Sequence, residues 1–174
     1  MPTVGDEFVC RNTGRCNHEA MPEVEFRWNQ TPRNGAGELE VRVDGQALAD
    51  WIRAVELPFA RAEGAEVIAG SYSGLSASHC PDDLVSHFLG GEDSHLDAGP
   101  RDKTVLLGCE CGDVGCWPLM AQIQTTSESV AWTDFEQPHR RELWSYEAAT
   151  PLMFDRTQYE DAIAAAVQER RSAR

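Results

Sequence analysis

The run Cys109-Glu110-Cys111-Gly112-Asp113-Val114-Gly115-Cys116-Trp117 places the tightest demand on how this chain folds. Three of its six cysteines stand there. Two glycines let the backbone between them turn back on itself, since glycine enters positive φ without a Cβ penalty. Three thiols must therefore share one tight loop. Such a loop suits metal ligation, redox or nucleophilic chemistry, or packing of small buried side chains.

Each use makes its own requirement. Zinc takes four N or S ligands in a tetrahedron. Cys109, Cys111 and Cys116 supply three, and His139 is the nearest candidate in sequence for the fourth. Cys10, Cys16 and His18 form a second possible ligand set. One residue, not the commoner two, separates Cys109 from Cys111. A reactive thiol needs a stabilised thiolate. Glu110 and Asp113 oppose that, unless His139, Arg140 or Arg141 folds over the loop. Packing needs only burial, because free cysteine behaves as a small hydrophobe. Cys109 follows an apolar strand and Cys116 precedes Trp117, so either suits a core.

The first residues, Met1-Pro2-Thr3-Val4-Gly5-Asp6-Glu7, lack the basic and apolar regions of a secretory signal, so the expected compartment is the cytoplasm. Thiols stay reduced there, which argues against a disulfide framework. The net charge of −14 opposes binding to nucleic acid or to an anionic membrane surface. No stretch approaches the ~20 apolar residues of a membrane helix. No phosphate loop, dinucleotide glycine pattern, His-Glu-x-x-His or Gly-x-Ser-x-Gly motif occurs, so no nucleotide or flavin is indicated.

The pattern predicts one α+β domain over 1–174, preceded by an irregular segment over 1–22. Val24, Phe26 and Trp28, then Leu39, Val41 and Val43, alternate with polar residues as two strands of a hairpin. Leu48, Trp51, Ile52 and Val55 have helical spacing, and Pro58 is expected to stop that helix. Glu66-Val67-Ile68-Ala69 reads as a short strand. Pro81-Asp82-Asp83-Leu84 opens a second helix, with Cys80 at its cap, and Gly90-Gly91 ends it. Thr104 to Leu107 forms a strand leading into the cysteine loop. Residues 117–126 and 129–132 form two more strands, and residues 133–151 read as irregular. Asp155 caps the last helix, with Gln158 as its capping-box partner, and Tyr159, Ile163 and Val167 line its apolar row. A mostly antiparallel sheet of about five strands with helices on one face fits this order.

A second polar cluster runs from Trp132 to Arg141 and holds Asp134, Glu136, Gln137, His139 and Arg140. Acid, base and anion-binding groups so close can line a pocket. They can equally tie down a loop through ion pairs. His139 is the residue there able to ligate a metal or act as a base near neutral pH.

Three runs carry a likeness: Leu107-Gly108 through Trp117-Pro118-Leu119, Phe135-Glu136-Gln137-Pro138-His139-Arg140, and Phe154-Asp155-Arg156-Thr157-Gln158-Tyr159-Glu160. Together they resemble a group of uncharacterised bacterial proteins. The resemblance extends from about residue 39 to the C-terminal helix. It implies a bacterial, non-secreted protein and carries no activity or catalytic residue. The leading expectation is a zinc-binding cysteine loop of structural or functional role. The alternatives are an interaction module with buried structural thiols and a thiol-dependent enzyme with His139 as base.

Overall fold

The computed structural model describes residues 21–29, 37–91 and 102–172. The described residues are α+β, with antiparallel strands and three α-helices. The strands divide between two sheets. β1 (Val24–Asn29) and β2 (Glu38–Val43) form the expected hairpin, with Val24 opposite Val43 and Asn29 opposite Glu38. A two-residue turn at Asp44 and Gly45, both at positive φ, leads to β3 (Gln46–Ala47). That backbone matches the right-handed twist of hairpin strands.

Helix α1 (Leu48–Ala62) follows and runs through Pro58. Proline inside a helix costs about 3 kcal/mol. Pro58 is exposed, so the carbonyl it leaves without a partner is on the outer side. The last turn continues because Ala60 is buried against Ala69 and Trp144, with Leu57 and Phe59 around them. Glu66–Ile68 is a 3₁₀ turn, not a strand. Its bonds are local, from Ile68 N–H to the Ala65 carbonyl, and Val67 is 80% exposed with no neighbouring strand to pair.

The chain then passes between the sheets within five residues. β4 (Tyr72–Ser73) pairs with β6 (Thr104–Cys109), while β5 (Leu75–Ser76) pairs with β2. Gly74 is the crossing point. A Cβ there would lie 2.3 Å from the Leu39 carbonyl oxygen, so the close approach requires glycine. α2 (Leu84–Phe88) is capped by Asp83, whose carboxylate accepts from Ser86 N–H; Cys80 is buried before it and does not cap. The helix turns His87 inward, with Nε2 2.8 Å from the Val105 carbonyl.

The second sheet has the order β4-β6-β7-β8-β9, with β7 at Leu119–Thr125, β8 at Ser129–Glu136 and β9 at Leu152–Asp155. β8 runs past Trp132, the expected end. Its register against β7 slips by one between the pairs Gln122–Thr133 and Met120–Glu136. Asp134 sits there at φ 50°. This bulge breaks the alternation, so Phe135 and Glu136 are both buried. Helix α3 (Arg156–Ser172) buries Tyr159, Ile163 and Ala166. Asp155 Oδ1 accepts from Gln158 N–H. The Gln158 side chain does not return the capping-box bond; it reaches β1, accepting from Val24 N–H and donating to the Val24 carbonyl. Inward side chains of both sheets and of the helices share one core, in which Phe26, Phe88, Trp132, Phe154 and Tyr159 meet.

Candidate metal centre

β6 is buried along nearly its whole length and delivers Cys109 to the end of the second sheet, opposite Tyr72. The Ser73 hydroxyl donates to the Cys109 carbonyl at 2.9 Å and fixes that end. Gly112 then takes φ 89° and donates its N–H to the same carbonyl at 2.9 Å, reversing the chain. Asp113 Oδ1 accepts from Gly115 N–H at 2.9 Å, and its carbonyl accepts from Cys116 N–H at 3.3 Å. These bonds bring Cys116 back toward Cys109.

The three sulfurs lie within 4.8 Å of one another. A zinc–sulfur bond of about 2.3 Å puts tetrahedral sulfurs about 3.8 Å apart. Small side-chain rotations close that difference. Cys109 Sγ also accepts the Cys111 N–H at 3.4 Å, a bond that favours a charged sulfur. Partial burial pushes the Cys109 thiol up to about 12, with smaller contributions from Cys111 and Cys116. The Cys111 thiol is lowered by the Asp113 backbone N–H and by Cys109. A bound dication deprotonates such thiols outright.

Burial separates these cysteines from core packing. Cys111 and Cys116 are exposed and Cys109 is half-buried, whereas Cys80 is buried. The loop thiols are therefore not core side chains. The tight reversal that gathers them keeps all but Cys109 outside the sheet.

His139 stands beside the loop but not among the sulfurs. It lies on the 3₁₀ turn Pro138–Arg140, whose cap is the Gln137 side chain accepting from His139 N–H at 2.6 Å. Its Nε2 lies 3.0 Å from the Gly115 carbonyl. A carbonyl only accepts, so Nε2 carries the proton. The ring stacks on Trp117 at 6.4 Å, and the Arg140 guanidinium lies 5.0 Å above the same indole. Arg140 pairs with Glu63 at 3.3 Å, and Trp144 N–H donates to Glu63, which ties the turn to the end of α1. Three buried donors here, Trp117 Nε1, Gln137 Nε2 and Arg140 Nε, make no hydrogen bond within the protein, although Arg140 Nε lies in ion-pair range of Glu63.

The remaining charges of the second cluster are paired. Lys103, 7% exposed, meets Glu136 at 2.5 Å and Asp134 at 2.9 Å, and Arg141 meets Glu136 at 2.6 Å. They tie down the end of β8. His79 is exposed, 3.1 Å from the Ser78 hydroxyl. Cys10, Cys16, His18, His95 and Arg174 lie outside the described residues.

One buried group near the loop gave no signal in the sequence. Glu56 of α1 is 0% exposed. Its carboxylate accepts from Tyr72 OH at 2.5 Å, Tyr146 OH at 2.7 Å and Gly70 N–H at 2.7 Å. Burial raises its pKa despite those donors and the Arg53 charge. Glu56 looks like one more solvated acid on an amphipathic helix. Only the fold shows that its face is covered by Tyr72, the partner of Cys109. No helix among the described residues is long and apolar enough to cross a membrane. No family model, curated protein or solved structure matches this chain.

Proposed function

We propose that the loop is a zinc centre held by the thiolates of Cys109, Cys111 and Cys116, with His139 fastening the loop from beside it. The observation that carries this reading is the convergence of three sulfurs on one exposed turn. Zinc favours sulfur ligands, and a dication offsets three adjacent thiolate charges. Holding the Gly115 carbonyl, His139 orients the segment that brings Cys116 into place. Three protein ligands are also the number found where zinc keeps an exchangeable fourth group and acts as a Lewis acid.

Protein purified without an affinity tag is expected to carry about one zinc per chain. Its loop thiols should alkylate slowly until a chelator is added, and then react together with a fall in Tm. Cys109→Ser should release the metal. His139→Ala should weaken zinc binding by about 10–100-fold, as loss of an orienting partner does. Metal-free protein whose melting is indifferent to chelator would refute the reading. The lowered thiol of exposed Cys111 favours the second reading, a reactive cysteine with two further thiols beside it. That reading requires fast, chelator-independent labelling of Cys111 alone.

A further inference from the structure

Resting on the zinc-centre reading, we propose that the fourth coordination position is open and takes a neutral nitrogen donor from outside the loop, of the imidazole class. Four observations lead there. The converging donors among the described residues are three thiols and no more. The nearest imidazole, His139, donates its Nε2–H to the Gly115 carbonyl, and neither of its ring nitrogens joins the group of mutually close sulfurs. Asp113 Oδ1 is engaged by Gly115 N–H. With Cys111 and Cys116 exposed, the centre faces solvent and a ligand can reach it.

Charge selects the class of ligand. Zinc with three thiolates sums to −1, and Asp113 and Glu110 stand in the same loop. The nearby cations are committed, Arg140 to Glu63 and Arg141 to Glu136. A fourth anion would sit roughly 4 Å from that net negative charge, a repulsion that weakens it about five- to ten-fold even in high dielectric. A neutral imidazole avoids the repulsion and suits a borderline metal. A histidine side chain of a partner protein or peptide meets that description.

Cobalt(II) exchanged into the full chain gives a spectroscopic readout. Its sulfur-to-cobalt absorption reports the thiolates and its visible bands report the fourth ligand. Free imidazole is expected to shift the visible bands of the parent protein and of His139→Ala alike. It should do so at a lower concentration than azide, an anionic nitrogen donor, requires. Three outcomes overturn the proposal while leaving the zinc centre standing. One is a response confined to His139→Ala, which makes His139 the fourth ligand. Another is a response confined to a variant lacking Cys10, Cys16 and His18, which makes that segment the closure. The third is thiolate absorption with no response in any of these proteins. Absence of the sulfur-to-cobalt absorption would refute the zinc centre itself, and the open position with it.

Discussion

Replacing Glu56 tests what a buried carboxylate does on Tyr72, the strand partner of Cys109. Its two oxygens accept three hydrogen bonds, two from tyrosine hydroxyls on Oε1 and one from Gly70 N–H on Oε2. In Glu56→Gln the amide oxygen can face Gly70 while the NH₂ group faces Tyr72 and Tyr146, whose hydroxyls can accept as well as donate. Each heavy atom keeps a partner and at most one tyrosine O–H loses its acceptor, so stability at low pH should change by about 1 kcal/mol. Glu56→Leu instead strands the donors, at about 1–3 kcal/mol each. The two hydroxyls can turn to each other, so the expected loss is about 2–6 kcal/mol. The pH dependence has a definite sign. Burial raises the folded pKa above the ordinary 4.5, so the folded state keeps its proton where the unfolded chain has released it. The stabilisation is complete below 4.5 and is lost as pH rises through the folded value. Urea unfolding of both proteins between about pH 4.5 and pH 8 isolates this one group. The parent should lose stability relative to Glu56→Gln as pH rises, by at most about 1.4 kcal/mol per pH unit. A pH-independent difference, or a loss of several kcal/mol in Glu56→Gln at low pH, would refute the reasoning.

Other perturbations probe the frame that carries the loop. Ile163→Asp places a charge against the core, where Ile163 is 1% exposed, and should cost at least about 4 kcal/mol in chemical unfolding; parent-like melting would mean α3 does not dock there. Tyr159→Phe strands the Trp132 N–H and the Phe88 carbonyl, both 2.9 Å from the lost hydroxyl, and should cost about 2–4 kcal/mol by the same measurement. Gly74→Ala forces a Cβ to within 2.3 Å of the Leu39 carbonyl oxygen. Its expected cost is about 1–3 kcal/mol, and an unchanged Tm would show that the two sheets can part at that point.

Local patterns reported faithfully where one face met one core. The alternation of Val24, Phe26 and Trp28 against Leu39, Val41 and Val43 is the β1–β2 register itself. Tyr159 and Ile163 are the buried row of α3. The gathering of Cys109, Cys111 and Cys116 followed from two glycines in eight positions. Patterns misled where a distant contact decided. Packing of Ala60 under Trp144 carries α1 past Pro58. A bulge at Asp134 extends β8 while hiding its periodicity. Val67 and Ile68 have strand chemistry but no strand to join. β4 and β5 are too short to show alternation, and they exist because Gly74 lets the backbones touch. His139 is adjacent to the loop as its position suggested, yet it holds a carbonyl; sequence carries no record of which atom a ring nitrogen faces.

The bonds from α3 to β1 have a consequence beyond holding a helix in place. β1 is an outer strand of its sheet, so one row of its amides and carbonyls faces away from β2. The Gln158 amide imitates a passing strand, meeting both polar groups of Val24. Farther along, Glu169 accepts from Trp28 N–H. The helix thus occupies positions where a second chain would otherwise lengthen the sheet. Loss of the Gln158 amide would cost the monomer little compared with what it would concede to self-templated growth. The first sign of such a lesion is expected as concentration-dependent turbidity, well before any drop in melting temperature.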